Sequence, residues 1–224
     1  MTRSLRLGHR GARSLKSIPE NTLESFDRCL ADGCDGFEFD VQLTADGEAV
    51  ICHDPEFKGL TIAQSKARAV PDLPALEEVL KRYRESAFLD IELKMNGLEQ
   101  VTADLLQKYP ARQGVVVSSF LRDVLQLFRT VDSAVPLGLI CETTSQLRGW
   151  RQIPVEYLML HRTLVTPKLI REIRESRRKV FVWTVNTASE MQHLEGLGVH
   201  GIISDNTSLL CRALLKNDSP RNNQ

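Results

Sequence analysis

Two kinds of side chain stand out by spacing in this 224-residue sequence. Carboxylates recur at alternate positions, as Glu38 with Asp40 and as Asp90 with Glu92, and Lys94 follows in the same phase. Histidines close two short apolar runs, at His9 and at His53. Asp46-Gly47 is a two-residue turn signal, so residues 36–54 read as a β-hairpin. If residue 45 faces residue 48, Asp40 lies opposite His53, with Cβ atoms about 4.5–5.5 Å apart. Period two then puts Phe39, Val41, Leu43, Val50 and Cys52 on an apolar face. Glu38, Asp40 and His53 fall on the other. Carboxylates crowded on one surface need a cation among them or ordinary solvation.

The chemistry such a set offers is specific. Glu38, Asp40 and Glu92 make an all-oxygen ligand set that suits one hard divalent cation, Mg²⁺ or Ca²⁺, better than zinc. The alternative is a cluster neutralised by Arg10 and Lys94 without metal. His9 and His53 suit paired general acid–base work near neutral pH. Arg10 can fork onto a phosphate, and Lys94 adds a point charge. Gly11 would let a ligand approach the backbone. Trp183 is either an apolar wall over a ligand or a cap on the core. His161, His193 and His200 lack such company and read as structural or surface residues.

The elements that must position these groups alternate regularly. Strand candidates are 6–9, the hairpin, 88–94, 115–118, 137–140, 157–160, 180–184 and 201–204. Helix candidates are 22–31, opened by Asn21 with Glu24 as a capping box, then 75–85, 97–109, 121–131, 144–150, 167–176, 188–195 and 207–216. Residues 55–73 read as irregular, and Pro74 fits the first turn of the helix after them. With the return arm of the hairpin set aside, eight strand–helix units remain, which predicts a closed (β/α)₈ TIM barrel with a β-hairpin extension after strand 2. An open doubly wound sheet is the rival, but no G-x-G-x-x-G follows the first strand. Residues 1–216 are expected to form a single domain, and the polar tail 217–224 to be disordered. His9, Glu38, Asp40, Glu92 and Lys94 then end the first three staves, at the face where barrel enzymes keep their active sites.

Composition narrows the classes. Lys plus Arg and Asp plus Glu are 29 each, which argues against a general footprint for nucleic acid or anionic membrane. Five cysteines without a C-x-x-C pair read as buried thiols in a reducing compartment. No signal-peptide pattern or apolar run of transmembrane length is present, and the chain reads as cytoplasmic. Stable membrane insertion is not expected, and a homo-oligomer is compatible with the sequence.

An ordered set of short motifs resembles the glycerophosphodiester phosphodiesterase family. The set comprises His9-Arg10-Gly11, Pro19-Glu20-Asn21-Thr22, Glu38-Phe39-Asp40-Val41, His53-Asp54, Leu73 to Leu80, Glu92-Leu93-Lys94, Ser118-Ser119-Phe120, Trp183-Thr184-Val185-Asn186 and Gly201 to Asp205. The likeness spans Leu7 to about Leu214. It implies a barrel of the phospholipase-C-like type that splits a glycerophosphodiester into sn-glycerol 3-phosphate and an alcohol. It puts metal ligands at Glu38, Asp40 and Glu92, the acid–base pair at His9 and His53, and phosphate or substrate contacts at Arg10, Lys94, Glu20, Asn21 and Trp183. The implied route is attack by a glycerol hydroxyl on phosphorus, then hydrolysis of the cyclic phosphate. One departure follows His53-Asp54: Pro55 to Leu60 stands where the family usually carries an Arg-Thr-containing run, and only about twenty residues precede the next helix in place of the family's longer insertion, which predicts a more open mouth. Phe57 and Leu60 are the residues that would serve a related lysophospholipase D-like activity. A silent phosphodiester-binding scaffold is the other alternative, and retention of every charged motif residue argues against it.

Overall fold

Side chains of the parallel strands alternate between two apolar interiors, one inside the ring of strands and one between strands and helices. The computed structural model describes residues 3–215; the tail expected to be disordered lies outside the described residues. The chain runs β1 (Leu5–His9), α1 (Leu23–Ala31), β2 (Gly36–Leu43), β3 (Ala49–Ile51), β4 (Glu56–Phe57), β5 (Leu60–Thr61), α2 (Leu76–Tyr83) and β6 (Phe88–Leu93). It continues through α3 (Glu99–Lys108), β7 (Val115–Ser119), α4 (Arg122–Val131), β8 (Leu137–Cys141), α5 (Thr144–Leu147) and β9 (Tyr157–His161). It ends with α6 (Pro167–Glu175), β10 (Lys179–Trp183), α7 (Ala188–Leu197), β11 (Gly201–Ser204) and α8 (Thr207–Leu215).

The staves pair in the order β1-β11-β10-β9-β8-β7-β6-β2, and β1 pairs with β2 to close the barrel. All these pairings are parallel, and helices connect them, as in a TIM barrel. Leu7, Phe88, Val116, Ile140, Tyr157, Met159, Phe181 and Ile203 fill the barrel interior. The larger core lies between sheet and helices, where the Phe26 and Phe37 rings stack at 4.2 Å. Helix sequences supply their share at helical spacing: α2 buries Leu76, Val79, Leu80 and Tyr83. Thr22, Thr143, Thr166 and Thr187 cap α1, α5, α6 and α7.

Several local expectations are corrected. Asn21 does not cap α1; Thr22 does, accepting from Ser25 N–H, and Asn21 takes a left-handed conformation at φ 58°. The β2–β3 turn is a three-residue loop, with Thr44 and Glu48 paired and Gly47 at φ 85°. The register therefore runs Val41 to Ile51 and Leu43 to Ala49, one residue away from the expected pairing. Asp40 meets Cys52, whose N–H donates to the Asp40 carbonyl, not His53. The slip exchanges faces on the return arm: Ile51 and Ala49 join Phe39 and Val41 in the core between sheet and helices, while Val50, also buried, and the half-buried Cys52 fall on the other face. Residues 55–73 are less irregular than expected, holding the β4–β5 hairpin and two short 3-10 turns. α2 begins at Leu76, after Pro74 rather than on it.

Candidate active site

Register brings the acids together. His9 pairs with Glu38 and Glu38 with Asp90; Asp40 pairs with Glu92 and Glu92 with Ser118. Neighbours at one level of a parallel sheet face the same side, so four carboxylates from β2 and β6 enter the barrel at its C-terminal end. Ligand-capable oxygens of Glu38, Asp40 and Glu92 lie within 4.8 Å of one another, and all three residues are buried.

Cations flank the trio. Lys94 Nζ donates to Glu92 Oε1 at 2.8 Å and lies 3.1 Å from Asp40 Oδ1. Arg10 Nε lies 3.2 Å from Asp40 Oδ2, and the Arg10 backbone N–H donates to Glu38 Oε2 at 3.0 Å. Glu20 anchors the Arg10 guanidinium at 2.6 Å. Asn21 donates to Asp40 Oδ2 at 2.9 Å. Gly11 serves a different neighbour from the one expected: at φ 80°, a Cβ there would collide with Ser25 of α1. Its bareness seats the helix, not a ligand.

The charges are unequal: three carboxylates face two cations. Burial pushes the Glu38 carboxyl well above its ordinary value, and Asp40, Glu92 and Asp90 add to it. Burial and then Asp40 push Glu92 up to about 7. Burial raises Asp90 to about 8, against a hydrogen bond from Ser118 Oγ at 2.7 Å. Burial acts the same way on Asp40, but Lys94, Arg10 and the Asn21 amide outweigh it and hold that carboxyl below its ordinary value. Glu38 Oε1 is buried without a hydrogen-bond partner. A buried carboxyl oxygen without a partner, beside two more carboxylates, is a donor set that would suit a hard divalent cation, which would satisfy the oxygen and lower all three acids.

A cavity of about 280 Å³ opens over the cluster. His9, Arg10, Glu38, His53, Glu92, Lys94 and Trp183 all line it. Glu20 and Asn21 stand one layer out, holding Arg10 and Asp40. His9 Nδ1 is 2.7 Å from Asp205 Oδ1, and its Nε2 faces Glu38 Oε2 at 3.8 Å. His53 Nδ1 is 2.7 Å from Asp54 Oδ1, and Gln42 Nε2 donates to the His53 carbonyl at 3.1 Å. Both histidines thus carry a carboxylate on Nδ1, which fixes the ring and leaves Nε2 for the cavity. The opposite wall is Phe120, Ile140, Met159, Trp183 and Ile203, with Glu142 at its rim. Phe57 and Leu60 are not among the residues that line the cavity. His161 ends β9 against Trp183, His200 Nδ1 accepts from Val180 N–H, and His193 is exposed on α7.

The family model of the glycerophosphoryl diester phosphodiesterase family matches residues 9–84 and 63–209, which between them hold every site residue above. The chain belongs to the glycerophosphoryl diester phosphodiesterase family. It is 28% identical to a glycerophosphodiester phosphodiesterase of Caldanaerobacter subterraneus, over 96% of this chain and 99% of that one. It is 25% identical to one from Bacillus altitudinis, over 88% and 92%. Its fold matches that of an Oleispira antarctica phosphodiesterase solved with the product sn-glycerol-3-phosphate, at TM-score 0.84 and 21% identity, over 94% of this chain and 96% of that one. A glycerophosphodiester phosphodiesterase from Thermotoga maritima matches at TM-score 0.83 and 22% identity, over 95% and 99%.

Two residues of the candidate site have no role in the sequence reading. Asp205 is separated from His9 by 196 positions, and only closure of β11 onto β1 joins them. Its signal was a polar Ser204-Asp205 pair at the end of the last apolar strand. Asp90 shares the alternation of Glu92 but lies deeper, beside Ser118, and was read only as one of a polar face.

Proposed function

We propose that this chain hydrolyses glycerophosphodiesters to sn-glycerol 3-phosphate and an alcohol, using one divalent cation, Mg²⁺ or Ca²⁺, and two histidines. The observation that carries the reading is the convergence of His9, His53, Arg10, Lys94 and the buried acid trio on one cavity. Glu38, Asp40 and Glu92 would hold the ion. When bound, it supplies positive charge to the phosphate and makes a glycerol hydroxyl more acidic.

The chain's own residues do the remainder. Arg10 and Lys94 hold phosphate oxygens and offset the charge that builds on them. One imidazole removes the proton of the attacking glycerol hydroxyl as its oxygen bonds to phosphorus. The other gives a proton to the departing alcohol oxygen. Water then opens the cyclic phosphate with the two roles exchanged. Asp205 and Asp54 act as positioning residues: each holds its histidine by Nδ1, so that Nε2 carries the proton exchange. The apolar wall around Trp183 limits water at the reacting phosphorus.

Four of the five thiols are buried, and all five are free. No helix among the described residues is long and apolar enough to cross a membrane.

Product analysis tests the proposal. Glycerophosphocholine is incubated with the protein and Mg²⁺ or Ca²⁺, and glycerol 3-phosphate is read by a coupled dehydrogenase. Release of glycerol 3-phosphate and free choline is expected. Release of phosphocholine and glycerol, or no cleavage with either ion, would reject it.

A further inference from the structure

The wall that faces the acid trio ends in a carboxylate of its own. Glu142 follows β8 and lines the cavity, while its backbone N–H donates to Gln146 Oε1. Among the described residues, no hydrogen bond or ion pair engages the Glu142 carboxylate. On the same cavity lining, the Phe120 and Trp183 rings meet edge to face at 5.7 Å and 87°, and His161 packs on Trp183 at 5.2 Å. Trp183 Nε1 donates to the Met159 carbonyl at 3.0 Å, so the indole is pinned in place. An uncompensated anion facing a cavity that takes a phosphodiester weakens binding of that ligand by like-charge repulsion. It becomes favourable when the far end of the ligand is positive, and aromatic rings lining the same cavity attract the same charge.

We propose that Glu142, Trp183 and Phe120 form a subsite for a cationic alcohol, quaternary or primary ammonium, at the leaving end of the diester. The inference rests on the proposed hydrolysis, in which the glycerol end is held on the side of Glu38, Asp40 and Glu92. The alcohol then extends across the mouth to the opposite wall. Choline and ethanolamine esters are the preferred substrates, and Glu142 is a specificity residue.

The test compares kcat/KM for glycerophosphocholine with that for glycerophosphoglycerol, whose alcohol is uncharged. The ratio is expected to be on the order of tenfold in wild type, the scale of one cation–π contact plus one exposed charge pair. It should shrink as salt rises, because Glu142 is solvent-exposed. Glu142→Gln is expected to bring the ratio close to one, and Glu142→Lys to take it below one. A wild-type ratio near one, or a ratio that Glu142→Gln leaves in place, overturns the subsite while hydrolysis stands. No glycerol 3-phosphate from either diester overturns the hydrolysis itself, and the subsite with it.

Discussion

Replacing Asp205 by Asn tests how the histidines are made useful. Asp205 Oδ1 lies 2.7 Å from His9 Nδ1, and its other oxygen accepts from Asn186 Nδ2 at 2.7 Å. Burial would raise this carboxyl, but His9, Asn186 and Arg13 outweigh it and keep it well below the usual carboxylate range. Asn keeps the size and removes the charge that stabilises an imidazolium on His9. A hydrogen bond to a charged partner contributes about 1.5–3 kcal/mol. At about 1.4 kcal/mol per decade of rate, kcat should fall about 10- to 150-fold. Asp205 does not line the cavity over the acid trio, so KM for glycerophosphocholine should stay within about threefold. The assay is glycerol 3-phosphate release under saturating metal, with a thermal melt to verify that the variant is folded. A folded variant with kcat within about twofold of wild type would refute the positioning role. So would a loss carried by KM alone.

Two further predictions follow from the same geometry. His53→Ala should lower kcat by about 10²–10⁴, the range for loss of a general acid or base, while substrate affinity measured by calorimetry changes little; near-wild-type turnover would remove His53 from the chemistry. Asp35 accepts from Arg6 N–H at 2.8 Å and from the Arg3 guanidinium at 2.6 Å, and these partners outweigh burial to hold its carboxyl below its ordinary value. A depressed folded-state value gives stability that is present above the unfolded value, about 3.9, and lost as pH falls through the folded value. Asp35→Asn should therefore cost about 1–2 kcal/mol at pH 7 in urea melts. That cost should shrink below about pH 4, and a deficit independent of pH would contradict the assignment.

The barrel was legible because the chain repeats one signal eight times: a short apolar strand, a turn, an amphipathic helix. The acid cluster of the candidate site was legible because period two on β2 and β6 throws Glu38, Asp40 and Glu92 to one side whatever the barrel's curvature. What sequence misjudged was local and backbone-borne. Asp46-Gly47 signals a turn, but the Thr44 hydroxyl accepts from Glu48 N–H and draws in one more loop residue, which moves the register by one. Asn21 looks like a helix cap because Asn is good at both capping and left-handed backbone; the Asp40 carboxylate, 19 positions away, decides which. His53 reaches the cavity although the register does not place it opposite Asp40, because the chain leaves β3 before it. The His9–Asp205 pair is invisible to any local pattern, since closure of the barrel creates it.

Hydrolysis by this chain is expected to require one ion at Glu38, Asp40 and Glu92. Chelator-treated protein should release no glycerol 3-phosphate from glycerophosphocholine, and titration with Mg²⁺ or Ca²⁺ should restore activity with a break at one ion per chain. Calorimetry of the same protein should give the same single site, lost in Asp40→Asn. Turnover that persists in chelator, or restored turnover with no ion bound at Glu38, Asp40 and Glu92, would contradict it.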